Sequence, residues 1–196
     1  MFKAKRRTVV TTTAVVAVLL AAALAVTLLT SGNGNASSGS TVSDGVVEYH
    51  AGHQPLAPTV TGTSLTGSTI NLSSYRGKTV VLNFWGSWCS PCRGEGPTLA
   101  ALDKQYQSKG VAFLGDDVAD SPASALAFTR SVGITYPSFS DNGYLIVNDF
   151  TQAGVAVSDT PTTVVIDKTG HVVGMVLGAA LYSQLTTLIN DAAVSQ

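Results

Sequence analysis

Cys89 and Cys92 are the two cysteines of this 196-residue chain, and two residues separate them in the segment Trp-Cys-Ser-Pro-Cys. A run of β-branched and aromatic residues, typical of a buried strand, precedes them, and a helical repeat of apolar residues follows. This context predicts that Cys89 lies at the N-terminus of a helix, where unpaired N–H groups and the helix dipole favour a thiolate. Cys92 would lie one helical turn later, close enough to form a disulfide. The pair is therefore predicted to be a redox dithiol.

Three other uses of paired cysteines explain the pattern less well. A structural disulfide across so short a loop would remove little entropy from the unfolded chain. A structural zinc site needs four ligands, and the chain has one Cys-x-x-Cys and no His-x-x-x-His partner. Two inert core cysteines would not explain why Ser90 and Pro91 stand between them at a helix start. No metal or other cofactor is expected.

The elements around the dithiol are predicted to form an α/β domain, in which a central mixed sheet is flanked by helices. Asp116, Asp117 and Asp120 are predicted to lie in a loop after the strand that follows the active-site helix. The predicted strands cover residues 69–72, 79–85, 111–115, 162–166 and 172–177, and the predicted helices cover residues 91–108, 121–131, 144–150 and 181–192.

The N-terminal region has the composition of a membrane anchor. Four cations (Lys3, Lys5, Arg6 and Arg7) precede an uncharged apolar stretch at residues 8–30, long enough to cross a bilayer. The cations should stay in the cytoplasm, which places the rest of the chain outside. We expect an anchor over residues 1–30, a flexible linker over 31–54 and the redox domain over 55–196. Cleavage after Ala25 or Ala36, which would release a secreted domain, is the alternative.

The charge of the region after the N-terminal cations excludes one class of partner. Its seven Lys and Arg residues face twelve Asp and Glu residues, which leaves a net charge of about −5. Such a domain has no basic surface for the phosphate backbone, so no nucleic-acid partner is expected.

The segment from Asn83 to Cys92 resembles the active site of the thioredoxin superfamily. The pattern Phe-Trp-x-x-Trp-Cys-x-Pro-Cys-x-x-Glu-x-Pro is similar to that of TlpA/ResA-like extracytoplasmic thiol-disulfide oxidoreductases. Thr160-Pro161, just before a predicted strand, matches the cis-proline that faces the dithiol in this superfamily. The resemblance extends from about Pro55 to Ala193 and implies a thioredoxin-like fold.

The resemblance also implies roles for individual residues. Cys89 would attack a substrate disulfide, and Cys92 would resolve the mixed disulfide with Glu95 as its proton acceptor. An exposed, inactive glutamate is the other interpretation of Glu95. Asn83 departs from ordinary thioredoxins, which carry a buried aspartate at this place. Because Asn83 cannot serve as the acid, Glu95 becomes the stronger candidate for the proton acceptor.

Four residues are predicted to bind the substrate or shape the site. Trp88 is expected to cover the dithiol, and Pro91 fixes the backbone of the first helical turn. Thr160 and Pro161 are expected to hold the substrate peptide beside Cys89, as the resemblance implies.

The resemblance implies a protein-disulfide reductase, of the kind that acts on apocytochrome c cysteines during cytochrome c maturation. Its partners would be protein thiols and disulfides, together with an electron donor that works across the membrane. A dithiol oxidase, running the same chemistry in reverse, remains the alternative. A peroxiredoxin-type peroxidase is disfavoured because Gly86 stands where that class has Thr or Ser, and a copper-delivery module is disfavoured because it uses Cys-x-x-x-Cys.

Overall fold

The structure is a computed structural model, and it describes residues 39–194. Nine strands and four α-helices follow one another along this part of the chain. The strands are β1 (Ser40–Ser43), β2 (Val46–Tyr49), β3 (Thr61–Thr63), β4 (Thr69–Asn71), β5 (Thr79–Trp85), β6 (Val111–Val118), β7 (Ser138–Asp141), β8 (Thr162–Ile166) and β9 (Val172–Leu177). The helices are α1 (Ser90–Tyr106), α2 (Pro122–Val132), α3 (Leu145–Gln152) and α4 (Tyr182–Val194).

Seven of these strands form one mixed sheet in the order β1-β2-β9-β8-β5-β6-β7. The pairs β5/β6 and β6/β7 are parallel, and the other neighbouring strands are antiparallel. Strands β3 and β4 form a separate two-stranded sheet. Because β5 lies in the interior of the large sheet, its C-terminal end delivers the following loop and α1 to the middle of the domain.

Every residue of β5 is buried, and successive side chains point to opposite faces of the sheet. Val81 and Trp85 join a cluster with apolar side chains of α1, α2 and α4. Leu82 and Phe84 join a second cluster that includes Phe150 of α3. The predicted mixed sheet between helices is thus confirmed.

The end of β6 was predicted wrongly. β6 does not end at Gly115 but continues to Val118, because residues 115–118 pair with β7. Asp116 and Asp117 therefore lie in a strand and are buried, whereas Asp120 follows it in a turn.

The predicted linker also extends too far. Residues 40–49 of the supposed linker form the hairpin β1–β2, and β2 pairs antiparallel with β9, with Val47 opposite Met175. The folded domain therefore includes these strands. The predicted anchor and residues 31–38 of the linker lie outside the described residues. Between residues 39 and 194, no helix is both long enough and apolar enough to span a membrane.

Candidate active site

Cys89 is the N-cap residue of α1, as the sequence predicted. Its sulfur accepts a hydrogen bond from the backbone N–H of Cys92 at 3.2 Å, and Pro91 occupies the first turn, where the N–H it lacks is not needed. In a reduced protein the same N–H and the helix dipole would stabilise a Cys89 thiolate. The helix terminus therefore supplies the electrostatic setting that disulfide exchange requires.

The two cysteines form a disulfide, with their Cα atoms 5.3 Å apart. Both side chains are buried, Cys89 being 4% exposed and Cys92 1% exposed. Cys89 is the more exposed of the two residues, and its sulfur lies near the Thr160 carbonyl. The structure thus represents the oxidised form of the predicted dithiol.

Thr160 and Pro161 lie against Cys89, although 71 positions separate Thr160 from it in the sequence. The Thr160 carbonyl oxygen is 3.6 Å from the Cys89 sulfur, and the Thr160–Pro161 peptide bond is cis. The Pro161 carbonyl accepts a hydrogen bond from Gly178 N at 2.9 Å, which ties this loop to the end of β9. The superfamily landmark is therefore beside the dithiol.

Glu95 is buried, at 3% exposure, so the interpretation of it as an exposed glutamate is wrong. Its Oε1 accepts a hydrogen bond from Asn83 Nδ2 at 2.8 Å, and its Oε2 accepts one from Ala180 N at 2.7 Å. Asn83 Nδ2 also donates to Thr163 Oγ1 at 3.0 Å. Burial raises the pKa of Glu95 from 4.5 to about 7, although the bonds from Ala180 and Asn83 act in the opposite direction. A carboxyl group with this pKa can take up or release a proton near neutral pH.

Trp88 is half exposed at the mouth of the site, and its indole is fixed in place. Trp88 Nε1 donates to the Val118 carbonyl at 3.1 Å. The ring also lies over Gly86, where a Cβ atom would come within 2.5 Å of the indole nitrogen. Glycine at position 86 therefore lets Trp88 fold back along the loop that leads to Cys89.

A small cleft beside Thr160 was not predicted from the sequence. Its volume is about 220 Å³, and its apolar wall includes Trp88, Val118, Tyr144 and Val147. Tyr144 has a positive φ of 56°, which is unusual for a residue with a side chain. The predicted helix at residues 144–150 could have suggested an element here, but not that it lines the same cleft as Trp88.

Two buried acids were also missed. Asp116 is fully buried on β6, and its carboxyl oxygens have no hydrogen-bond partner among the described residues. Burial raises the pKa of Asp116 well above its usual value, and the neighbouring Asp141 and Asp117 add to the effect. Burial and the nearby Asp120 raise the pKa of Asp117 from 3.8 to about 7. The carboxyl end of β6 is therefore an acidic region next to the active-site loop.

Comparison with known proteins agrees with this geometry. Residues 54–175 match the AhpC/TSA family. Thiol-disulfide oxidoreductase ResA of Bacillus thuringiensis is 35% identical over 129 residues, which cover 66% of this chain and 72% of that protein.

Two solved structures have similar folds. A DsbF homologue from Corynebacterium diphtheriae has a TM-score of 0.69 and 29% identity, and the match covers 81% of this chain and 96% of that one. A secreted thiol-disulfide isomerase from Corynebacterium glutamicum has a TM-score of 0.67 and 28% identity, and the match covers 79% of this chain and 98% of that one. The chain belongs to the AhpC/TSA family, and it is a thiol-disulfide oxidoreductase with a thioredoxin-like fold.

Proposed function

We propose that this member of the AhpC/TSA family is a membrane-anchored, extracytoplasmic protein-disulfide reductase. The observation that carries the proposal is the position of the Cys89 sulfur, at the N-terminus of α1 and 3.6 Å from the Thr160 carbonyl. A sulfur held there has a helix terminus to stabilise its thiolate and an adjacent backbone edge for a substrate peptide. The apolar, uncharged residues 8–30 would hold the domain at the outer face of a membrane.

In the first step, the Cys89 thiolate attacks one sulfur of a substrate disulfide. The substrate S–S bond breaks, a mixed disulfide forms between Cys89 and the substrate, and the other substrate sulfur leaves as a thiolate that takes a proton from water. Thr160 and Pro161 would hold the substrate backbone during this step. Trp88 and Pro91 would line the approach to the sulfur.

In the second step, Cys92 resolves the mixed disulfide. Its thiol gives a proton to Glu95, and the resulting thiolate attacks the Cys89 sulfur. The substrate leaves with both of its cysteines reduced, and the protein is left with the Cys89–Cys92 disulfide. Because the protein has then lost two electrons, a donor that works across the membrane must reduce it again. We propose that apocytochrome c cysteines are its substrates, in support of cytochrome c maturation.

The test of this function uses the full-length protein in detergent. With dithiothreitol as reductant, it should reduce insulin disulfides, and Cys89→Ser should abolish turnover because the attacking thiolate is gone. Cys92→Ser is the matched control, since it keeps the first step and should accumulate a stable mixed disulfide. Full turnover in Cys89→Ser protein would contradict the mechanism.

The direction of the reaction and the membrane topology need separate measurements. A reduction potential near that of thioredoxin, about −270 mV, would support a reductase, and one near −120 mV would support an oxidase. Alkaline phosphatase fused after Gln196 should be active, and the protein should stay in the membrane during carbonate extraction. Release of a shorter soluble form would contradict the anchor.

A further inference from the structure

The end of β6 and the turn that follows it contact two successive residues of the active-site loop, Ser87 and Trp88. Asp120 Oδ2 accepts a hydrogen bond from Ser87 N at 2.8 Å. The Val118 carbonyl accepts the indole N–H of Trp88 at 3.1 Å. Both contacts fall on the loop immediately before Cys89, and neither uses an atom of the dithiol.

The backbone of this turn bends sharply between the two contacting residues. Ala119, between the two contacting residues, has a φ of 50°, a left-handed conformation that is unfavourable for a residue with a Cβ. Its N–H donates to the Asp141 carbonyl at 3.2 Å, which holds the bend against β7. Strained conformations of this kind persist only where the surrounding structure fixes them, and they are found most often at functional sites.

Ser87 is held through both of its backbone polar groups. Its N–H donates to Asp120, and its carbonyl accepts two hydrogen bonds from Arg93, from Nε at 3.0 Å and from Nη2 at 2.8 Å. Arg93 is on α1, directly after Cys92. The residue two positions before the nucleophile is therefore fixed between the β6–α2 turn and the helix that carries the dithiol.

Asp120 uses both carboxylate oxygens in this arrangement. While Oδ2 accepts from Ser87, Oδ1 accepts from Ser121 N at 2.7 Å, and the Ser121 hydroxyl in turn caps α2 by accepting from Ser124 N. Behind it lies the buried Asp117, whose carboxyl oxygens have no hydrogen-bond partner among the described residues. The two N–H groups meet different oxygens of Asp120, so an asparagine there would place its NH2 group against one of them and remove that hydrogen bond.

We propose that Asp120 is a positioning residue for the nucleophile, and that it acts on Cys89 through Ser87 and Trp88. The proposal rests on the proposed function, in which Cys89 performs the first attack. Disulfide exchange is sensitive to which sulfur is attacked and from which direction, so looseness in this loop should slow that attack. The second step takes place between two cysteines on the same helix and depends less on the loop.

The test separates the two steps by stopped-flow kinetics with a peptide disulfide. Asp120→Asn should slow formation of the mixed disulfide about tenfold, the usual effect of losing a hydrogen bond to a charged group, and should change its resolution by less than about twofold. Asp159→Asn is the matched control, because it removes a charge next to Thr160 without touching Ser87. Equal slowing in both variants, or equal slowing of both phases in Asp120→Asn, would overturn the proposal.

A second measurement needs neither a variant nor activity. In the oxidised wild-type protein, the amide hydrogen of Ser87 should exchange with solvent at least about a hundredfold more slowly than that of an open loop residue, because it is hydrogen-bonded to Asp120. Rapid exchange would overturn the proposal even if the enzyme is active. A wild-type protein that fails to reduce any disulfide would instead contradict the proposed function and leave the exchange result standing.

Discussion

Glu95→Gln should change how the stability of the oxidised protein depends on pH. The carboxyl group is buried and accepts hydrogen bonds from Asn83 and Ala180. A glutamine has nearly the same shape as a protonated glutamic acid, and each has one oxygen that is free of hydrogen. At low pH, where Glu95 is protonated, the two free energies of unfolding should differ by an offset that does not change with pH, because the glutamine NH2 group cannot accept one of the two hydrogen bonds.

The size of the effect follows from the pKa of Glu95, which burial raises from 4.5 to about 7. Below pH 4.5 the group is protonated in the folded and the unfolded chain, so it adds no pH dependence. Between pH 4.5 and 7 the unfolded chain ionises first, and the wild-type protein loses stability as the pH rises. Each pKa unit corresponds to 1.36 kcal/mol, so the wild-type protein loses about 3 kcal/mol of stability above pH 7. Glu95→Gln should not lose stability in this way, because it has no carboxyl group to ionise.

The assay is urea unfolding of both oxidised proteins at half-unit steps from pH 4.5 to 8. The free energy of unfolding of Glu95→Gln minus that of the wild type should rise by about 3 kcal/mol over this range. Glu48→Gln, on the exposed side of β2, is the control for removing a glutamate. A difference that changes by less than about 1 kcal/mol would refute the reasoning, since Glu95 would then be ionised in the fold.

Three further predictions concern the same site. In stopped-flow traces, Glu95→Gln should slow resolution of the mixed disulfide by Cys92 more than its formation, and equal slowing of both phases would contradict a role in proton transfer. Gly86→Ala should displace the Trp88 indole from Val118 and cost about 1 kcal/mol of stability, and unchanged indole exchange in NMR would contradict this. Between pH 4.5 and 8 the wild-type protein should lose up to about 3 kcal/mol of stability that Asp117→Asn keeps, as measured by urea unfolding, because the pKa of Asp117 is raised to about 7.

The elements that could be predicted from the sequence are those with strong local patterns. β8 and β9 have the predicted bounds, because short apolar runs flank a turn in which Asp167 accepts backbone hydrogen bonds and Gly170 has a φ of 96°. The start of α2 was predicted within one residue, because Ser121 followed by Pro122 is a typical N-cap and first helical residue. In each case, neighbouring residues determine the conformation.

The elements that were missed depend on contacts between distant parts of the chain. β1 and β2 directly follow a stretch rich in Gly, Ser and Asn, and pairing of β2 with β9 holds this hairpin in the sheet. The end of β6 carries two aspartates, which are seldom buried, so the strand was predicted to stop before them. Pairing with β7 overrides that preference, and the raised pKa values of both acids are the electrostatic consequence.

The same distinction applies to the site. Cys89, Cys92 and the Thr160–Pro161 pair could be recognised from short motifs, because their chemistry needs those residue types at fixed positions. The contact of Asp120 with Ser87 could not, since 33 positions separate the two residues and the interaction uses a backbone N–H that every residue except proline has. Only the fold shows which carboxylate meets which amide.

Asn83 explains why a buried carboxylate can be kept at position 95. An aspartate at position 83, as in ordinary thioredoxins, would place a second acid within hydrogen-bonding distance of Glu95, and two such charges could not both ionise in a buried site. The amide of Asn83 instead donates to Glu95 and to Thr163, so it orients the carboxylate without competing for its proton. The single acid then lies on α1, one helical turn after Cys92, whereas the strand β5 carries only a neutral partner. In the proposed mechanism, this exchange of an acid on the strand for an acid on the helix gives the Cys92 proton its acceptor and leaves activation of Cys89 to the helix terminus.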